Sequence, residues 1–278
     1  MSETSINEQR VLFDHPIAPA MRNEVLSTLT RIEREENVTV LFACESGSRG
    51  WGFASPDSDY DVRFIHVNRL PWYLTVMPGR DVIERPISGD LDVAGWDLRK
   101  ALRLLQKSNP TLLEWLRSPI MYRENTEVMK RLRELAVTHF SNVSGYHHYV
   151  SMAKKNFREH LRGEVVRYKK YFYVLRPLLA ARWIREGRGA PPMRFADLAE
   201  ATITDAALIA EINALLAVKM RAGESATSRR WPAIHDFIVS ELATALAHAP
   251  TDHVKHSSVA LDRFLCETVR SFDVVSPG

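Results

Sequence analysis

Cysteine is nearly missing from this chain, which carries only Cys44 and Cys266. Two thiols so far apart make neither a disulfide framework nor a zinc site, and they fit a reducing compartment such as the cytoplasm. Long apolar runs are missing as well. The best candidate, around Tyr171 to Ile184, is broken by Arg176 and Arg182, short of the roughly 18 uninterrupted apolar residues a membrane span needs. The first ten residues, MSETSINEQR, hold two glutamates and lack the basic start and apolar run of a signal peptide. No repeat and no low-complexity tract interrupts the chain. Neither sign of charge dominates: 278 residues carry a formal net charge of +3, and 45% are hydrophobic against 26% charged. That balance excludes collagenous and disordered classes, and it leaves the question of partners to where the charges cluster.

What is present is unevenly distributed. Met21, Val25, Leu29 and Ile32 recur at helical spacing and predict a helix over 18–36. The apolar, β-branched stretch 38–45 (VTVLFACE) predicts a buried strand, and 60–67 (YDVRFIHV) a second. Between them SGSRGWGFASPDSD is rich in Gly, Ser and Pro and reads as a loop or short turn-helix. Extended pieces follow near 81–87 and 91–96. Asp97 then stands as an N-cap before the amphipathic run LRKALRLLQK. From there the pattern is helical, over about 125–139, 145–161, 164–187, 203–221, 229–247 and 258–272, with Pro177 expected to kink or split the third. Strands first and helices after predict an α+β protein, with a catalytic domain over 1–120 and a helical domain over 121–278.

The chemistry concentrates in Gly47-Ser48, ten intervening residues, then Asp59-Tyr60-Asp61-Val62. Alternate residues of a strand share a face, so Asp59 and Asp61 project together. Two neighbouring carboxylates repel each other, and a hard divalent cation relieves the repulsion. Magnesium accepts one or two carboxylates and fills its shell with water and phosphate oxygen. A pair of such ions can activate an attacking oxygen and stabilise a leaving one. Gly47 lets backbone approach a phosphate, and Ser48 can donate a hydrogen bond to it. Other readings fail at particular positions. A calcium loop starting at Asp57 would need Gly where Val62 stands and Glu where Asn68 stands. A P-loop would need Gly-Lys-Ser/Thr, and Gly47, Gly50 and Gly52 are wrongly spaced for a dinucleotide fingerprint. Asp57 reads as a turn former. A turn does not explain two acids entering an apolar strand.

The Gly-Ser pair followed by Asp-x-Asp in a strand resembles the signature of the polymerase β nucleotidyltransferase superfamily. The longer string GSRGWGFASPDSDYDVRFIHV is similar to a bacterial branch associated with RNA-repair ligases. The resemblance continues through DLDVAGWDLRKALRLL, NPTLLEWLRSPI and KKYFYVLRPLLAARWI, covering most of 44–184. It implies a polymerase β-type core with a mixed sheet, followed by an all-helical C-terminal domain. It also implies a third catalytic carboxylate on a later strand, for which Asp90, Asp92 and Asp97 are available. Asp92, between Leu91 and Val93, is favoured, since Asp97 is explained as a cap and Asp90 as part of a Ser-Gly-Asp turn.

The helical part carries a second signal. Residues 150–188 hold eleven basic side chains against three acidic ones. Tyr168, Phe172, Leu175 and Leu179 form an apolar stripe, while Lys169, Tyr173 and Arg176 fall on another face. Periodicity alone reads that face as a solvated basic surface with a packed tyrosine. The resemblance places the block beside the active site and so implies that Lys169, Tyr173 and Arg176 bind the nucleotide, with Lys155 on the preceding helix. Trp51, Trp96 and Trp115 read as packing aromatics, and Leu208, Ile212, Leu215 and Leu216 as bundle core.

The expected activity is transfer of a nucleoside monophosphate from a nucleoside triphosphate to a hydroxyl, with release of pyrophosphate. Asp59, Asp61 and Asp92 are the expected metal ligands and catalytic acids, for two Mg2+ ions or for Mn2+. Gly47, Ser48, Lys155, Lys169, Tyr173 and Arg176 are the expected nucleotide contacts. An RNA 3′ end is the expected acceptor. The alternatives are a protein or small-molecule acceptor, or a nucleotide-binding protein without turnover.

Overall fold

The computed structural model describes residues 10–14, 17–251 and 256–273, so residues 1–9 of the N-terminal segment read above lie outside the described residues. Along the chain run α1 (Pro19–Glu36), β1 (Thr39–Glu45), α2 (Gly47–Trp51), β2 (Tyr60–Val67), α3 (Leu70–Tyr73), β3 (Val82–Glu84), β4 (Leu91–Asp97), α4 (Leu98–Gln106), α5 (Pro110–Trp115) and β5 (Met121–Glu124). There follow α6 (Thr126–His139), α7 (Asn142–His160), β6 (Val165–Arg167), α8 (Tyr168–Arg185), α9 (Phe195–Thr202), α10 (Ala206–Lys219), β7 (Thr227–Arg229), α11 (Pro232–Ala247) and α12 (Val259–Phe272).

The chain divides into two compact units, one within Pro16–Ser46, Asp59–Phe140 and Lys255–Gly278, the other within Met1–His15, Gly47–Ser58 and Ser141–Val254. The units interleave in sequence, in place of a single cut near residue 120. One cause is α12, whose Leu261, Phe264 and Val269 are buried in the core of the sheet unit with Leu102 and Leu132.

The sheet unit is built on five strands in the order β3-β4-β2-β1-β5. β2 and β4 run parallel, and the remaining pairs are antiparallel, which makes the sheet mixed. Strand alternation assigns the two faces. Val62 and Phe64 pack with Val25, Leu29 and Ile32 of α1, while Ile65 and Val67 pack with Leu98, Leu102 and Leu105 of α4. Gly95 lies opposite Phe64 in the β2–β4 register. A Cβ there would stand 2.3 Å from the Phe64 ring, so the strand needs a residue without one. Trp96 and Trp115 stack with ring centroids 3.8 Å apart.

The helical unit is organised by α8, in which Tyr171, Phe172, Val174, Leu175, Leu178 and Leu179 are all fully buried. The apolar stripe expected on this helix is therefore one part of a helix buried on most sides. It is continuous through Pro177, giving up only the hydrogen bond that an amide at 177 would have donated to the Tyr173 carbonyl. The unit is not wholly helical. The ends expected to start helices at 164 and 229 form a two-stranded ladder, Val165 opposite Arg229 and Arg167 opposite Thr227, at positions rich in β-branched residues. Phe53, Phe172 and Phe195 form an aromatic cluster with centroids 4.9 to 5.8 Å apart.

Candidate active site

In the sheet unit Asp61 and Asp92 are each the second residue of their strand, and the parallel register sets them directly opposite one another. Asp59 precedes β2 and is exposed; it shares the face of Asp61 by strand alternation. A single side chain holds the facing pair. Arg63 Nη2 donates to Asp61 Oδ1 at 3.0 Å and to Asp92 Oδ2 at 2.7 Å. Its Nη1 donates to the Val62 and Asp92 carbonyls at 3.0 and 3.1 Å. Asp61 and Asp92 thus present oxygen donors of the hard type that suits magnesium or manganese, and a protein cation already bridges them. No group of three carboxylate, histidine or cysteine side chains that could hold a metal ion is found among the described residues.

A second carboxylate layer lies behind the first. Glu45, at the end of β1, is fully buried. Its Oε1 accepts the Asp61 amide at 2.7 Å, and its Oε2 accepts the Tyr122 hydroxyl at 2.5 Å. Burial, and then the Glu45 charge, push the Tyr122 phenol far above its ordinary range. Glu45 and Arg63 lie inside strands recognised from composition, but their roles depend on which neighbours the sheet brings beside them.

Asp97 does what a cap should, accepting the Arg99 amide at 2.8 Å. It also accepts the Tyr73 hydroxyl at 2.6 Å and Asn68 Nδ2 at 3.0 Å, with its carboxylate fully buried. Burial raises its pKa against the pull of those donors. Asp90 lies in the turn before β4, and its carbonyl accepts the Tyr60 amide at 2.7 Å.

In the helical unit Gly47 has φ +57°, a left-handed conformation that suits a residue without Cβ. Ser48 follows it half-buried in α2. The end of the same loop is fastened by charge. Ser58 Oγ donates to Glu224 Oε1 at 2.7 Å, and the Glu224 amide donates to the Asp57 carboxylate at 3.0 Å, so Asp57 does more than shape a turn. Lys169 Nζ donates to Glu224 Oε2 at 2.5 Å. Lys219 is almost fully buried and donates to the Phe53 carbonyl at 2.6 Å and Ser55 Oγ at 2.8 Å. Burial outweighs the nearby Glu224 charge and brings Lys219 down to about 8. Burial alone would raise Glu224, but the bonds from Lys169 and Ser58 and the charge of Lys219 bring it down to about 2. Neither Glu224 nor Lys219 stands out in the sequence, because apart from each other their side-chain partners lie more than fifty residues away along the chain.

Tyr173 and Arg176 meet at Trp51. The Trp51 and Tyr173 rings are edge to face with centroids 5.7 Å apart, and the Arg176 guanidinium lies 4.8 Å from the Trp51 centroid. Arg176 is 2% exposed, and its Nε donates to the Met193 carbonyl at 3.1 Å. The open basic face expected at Lys169, Tyr173 and Arg176 is therefore half-buried at the first two and buried at the third. The basic excess is also partly neutralised internally: Glu241 binds Arg182 and Arg185. Lys154, Lys155, Arg158 and Arg162 remain exposed on and just after α7.

A mixed sheet bearing facing acids on its two central parallel strands, with a Gly-Ser turn ahead of them in sequence, is of the polymerase β nucleotidyltransferase class. Residues 21–267 match the RNA repair pathway DNA polymerase beta family, RlaP, and the chain belongs to that family. It is 43% identical over 251 residues to the uncharacterized protein YcgL of Bacillus subtilis (strain 168), a match covering 90% of this chain and 96% of that one. Among solved structures it is similar to a nucleotidyltransferase-like protein from Exiguobacterium sibiricum 255-15, at 13% identity, over 88% of this chain and 80% of that one, with a TM-score of 0.30. Among the described residues no helix is long and apolar enough to cross a membrane.

Proposed function

We propose that this protein transfers a nucleoside monophosphate from a nucleoside triphosphate to a hydroxyl, with an RNA 3′ end as the acceptor. The observation that carries this reading is the register that sets Asp92 opposite Asp61 on parallel strands, 31 residues apart in sequence. A pair of facing carboxylates needs a reason to exist, since like charges at that separation oppose each other. Arg63 supplies part of the compensation, and the hard oxygen donors of Asp59, Asp61 and Asp92 suit magnesium for the rest.

In this reading the acceptor oxygen bonds to the α-phosphorus while the bond to the bridging oxygen breaks, and pyrophosphate leaves with that electron pair. Asp92, held in place by Arg63, accepts the hydroxyl proton. Asp59 and Asp61 hold the metal, and Glu45 fixes the backbone beneath Asp61. When bound, magnesium supplies charge stabilisation to the phosphoryl oxygens. Gly47 and Ser48 receive phosphate, Lys155, Lys169 and Tyr173 contact the nucleotide, and Arg176 holds Trp51 beside Tyr173. Catalysis is then mainly positioning and electrostatics. The family's RNA repair description and the exposed cations of α7 support RNA over a protein or small-molecule acceptor.

The test is incubation with each α-labelled nucleoside triphosphate and magnesium, with and without RNA. Label is expected on the RNA 3′ end, and Asp61→Asn and Asp92→Asn should each lower the rate by orders of magnitude. Label on the protein or on a small molecule would move the acceptor elsewhere. Wild-type transfer by the double variant would remove the assignment altogether.

A further inference from the structure

Arg63 is fastened to the acid pair by more than charge. Two residues beyond Asp61, it shares that residue's face of β2 by strand alternation. Its partner across the ladder is Ala94, a side chain too short to obstruct a guanidinium reaching toward β4. Nη2 bonds one oxygen of each carboxylate, Asp61 Oδ1 and Asp92 Oδ2. Nη1 donates to the main-chain carbonyls of Val62 and Asp92. A side chain drawn in by charge alone has no need of the carbonyls. Those two bonds tie the planar fork to the backbone of both strands.

Place and charge both bear on how many ions this face accepts. A divalent ion bridging Asp61 and Asp92 would need the oxygens that Arg63 holds. Expelling the guanidinium would break four hydrogen bonds, and the two to carboxylates are charge-assisted, the stronger kind. Asp59, Asp61 and Asp92 carry three negative charges against the one positive charge of Arg63. The remainder is two, which a single divalent ion cancels. A second ion beside the guanidinium would leave an excess of positive charge before any phosphate is bound, and like charges so close oppose each other.

We propose that Arg63 is the resident second cation of this active site. One divalent ion binds at Asp59 and Asp61, and the guanidinium keeps the place between Asp61 and Asp92 that a second ion would take. The site is then a one-ion variant of the two-ion arrangement expected from the sequence. This inference rests on the nucleotidyl-transfer reading above. Arg63 acts through the two acids and is a positioning residue: it fixes the Asp92 carboxylate against Asp61 before nucleotide or metal arrives.

The test is electron paramagnetic resonance of the full chain with Mn2+ and an unreactive α,β-methylene nucleoside triphosphate, each base in turn, with bound ions counted by equilibrium dialysis. Two Mn2+ ions about 3.5–4 Å apart, the spacing of two-ion sites, couple magnetically, whereas a lone ion does not. Wild type is expected to bind one uncoupled ion per chain, and Arg63→Met a coupled pair. Arg63→Gln removes the charge and keeps an N–H donor for the strand carbonyls, so it gives the same answer if Arg63→Met does not fold. The bound ion should be lost in Asp61→Asn. A coupled pair in wild type, or a lone ion in the folded Arg63 variants, would overturn the inference and leave the transfer reading standing. Mn2+ bound equally by wild type and Asp61→Asn, or not bound by wild type at all, would overturn both.

Discussion

Asp61 and Asp92 face each other across the β2–β4 ladder with the Arg63 guanidinium between them, 3.0 Å from one carboxylate and 2.7 Å from the other. The chain therefore carries its own counter-ion for the acid pair, and a divalent ion entering there must compete with it.

That competition is measurable. Arg63→Met removes the internal cation and leaves two carboxylates in opposition, which should cost about 1–3 kcal/mol in the absence of metal. The same change should enlarge the rise in melting temperature produced by magnesium, because the ion no longer displaces a guanidinium. Thermal unfolding with and without magnesium reads both effects. A smaller magnesium response in the variant than in wild type would show that Arg63 helps to hold the ion.

The third acid can be separated from the cap. Asp92→Asn should blunt the magnesium response while leaving the fold intact, and Asp97→Asn should do the reverse. A side-chain amide at position 97 could still accept the Arg99 N–H, but its NH2 group would meet the donors now aimed at Asp97 Oδ2 from Tyr73 and Asn68. A stability loss of about 1–3 kcal/mol is expected from that mismatch, read by denaturant unfolding. If Asp97→Asn abolishes the magnesium response and Asp92→Asn keeps it, the assignment of Asp92 fails.

Glu45 should act through Asp61. Tyr122→Phe leaves the fully buried Glu45 carboxylate short of one donor, at a cost of about 1.5–3 kcal/mol. Adding Glu45→Gln should cost less than the sum of the two single changes, since both partners of the bond are then altered together. Strict additivity in unfolding measurements would mean that the hydroxyl and the carboxylate do not depend on each other.

Glu224 and Lys219 give opposite limbs of a pH profile. Glu224 titrates near 2 in the folded chain against an ordinary 4.5, so the unfolded chain binds more protons between those values. Its stabilisation is complete above 4.5 and is lost as pH falls through that window. Lys219 titrates near 8 against an ordinary 10.5. The unfolded chain again binds more protons in between, so stability from this group rises as pH climbs from 8 to 10.5. Glu224→Gln should flatten the acid limb of melting temperature against pH, and Lys219→Met the alkaline rise. Unchanged limbs would remove both groups as the cause.

RNA binding should depend on the exposed cations and not on the paired ones. Replacing Lys154, Arg158 and Arg162 by Ala should lower the slope of log affinity against log salt by up to about 2. Arg182→Ala should leave it unchanged, because Glu241 and Glu186 already engage that guanidinium. Filter binding over a salt series decides between them, and an Arg182 effect as large as that of the triple variant would contradict the division.

Whatever depends on local period and local chemistry can be read from the order of residues alone. The apolar alternation of 60–67 made a strand that carries Asp61 on one face, Asp97 ahead of LRKALRLLQ made a cap, and Gly47 stood where the backbone turns left-handed. Which of those pieces meet was settled by the assembly of the fold. A strand's pattern states that it is half-buried and not which strand lies beside it, so the Asp61–Asp92 register and the bridging by Arg63 followed from sheet assembly. The basic count of 150–188 was legible, but its meaning changed once Glu224 and Glu241, distant in sequence, were brought against Lys169, Arg182 and Arg185. Arg176 keeps helical spacing with Tyr173, yet it is buried, because α8 is enclosed on more faces than one amphipathic stripe can announce. Period belongs to a segment alone, whereas pairing and burial belong to two segments at once, and the second segment is chosen by the closure of the fold.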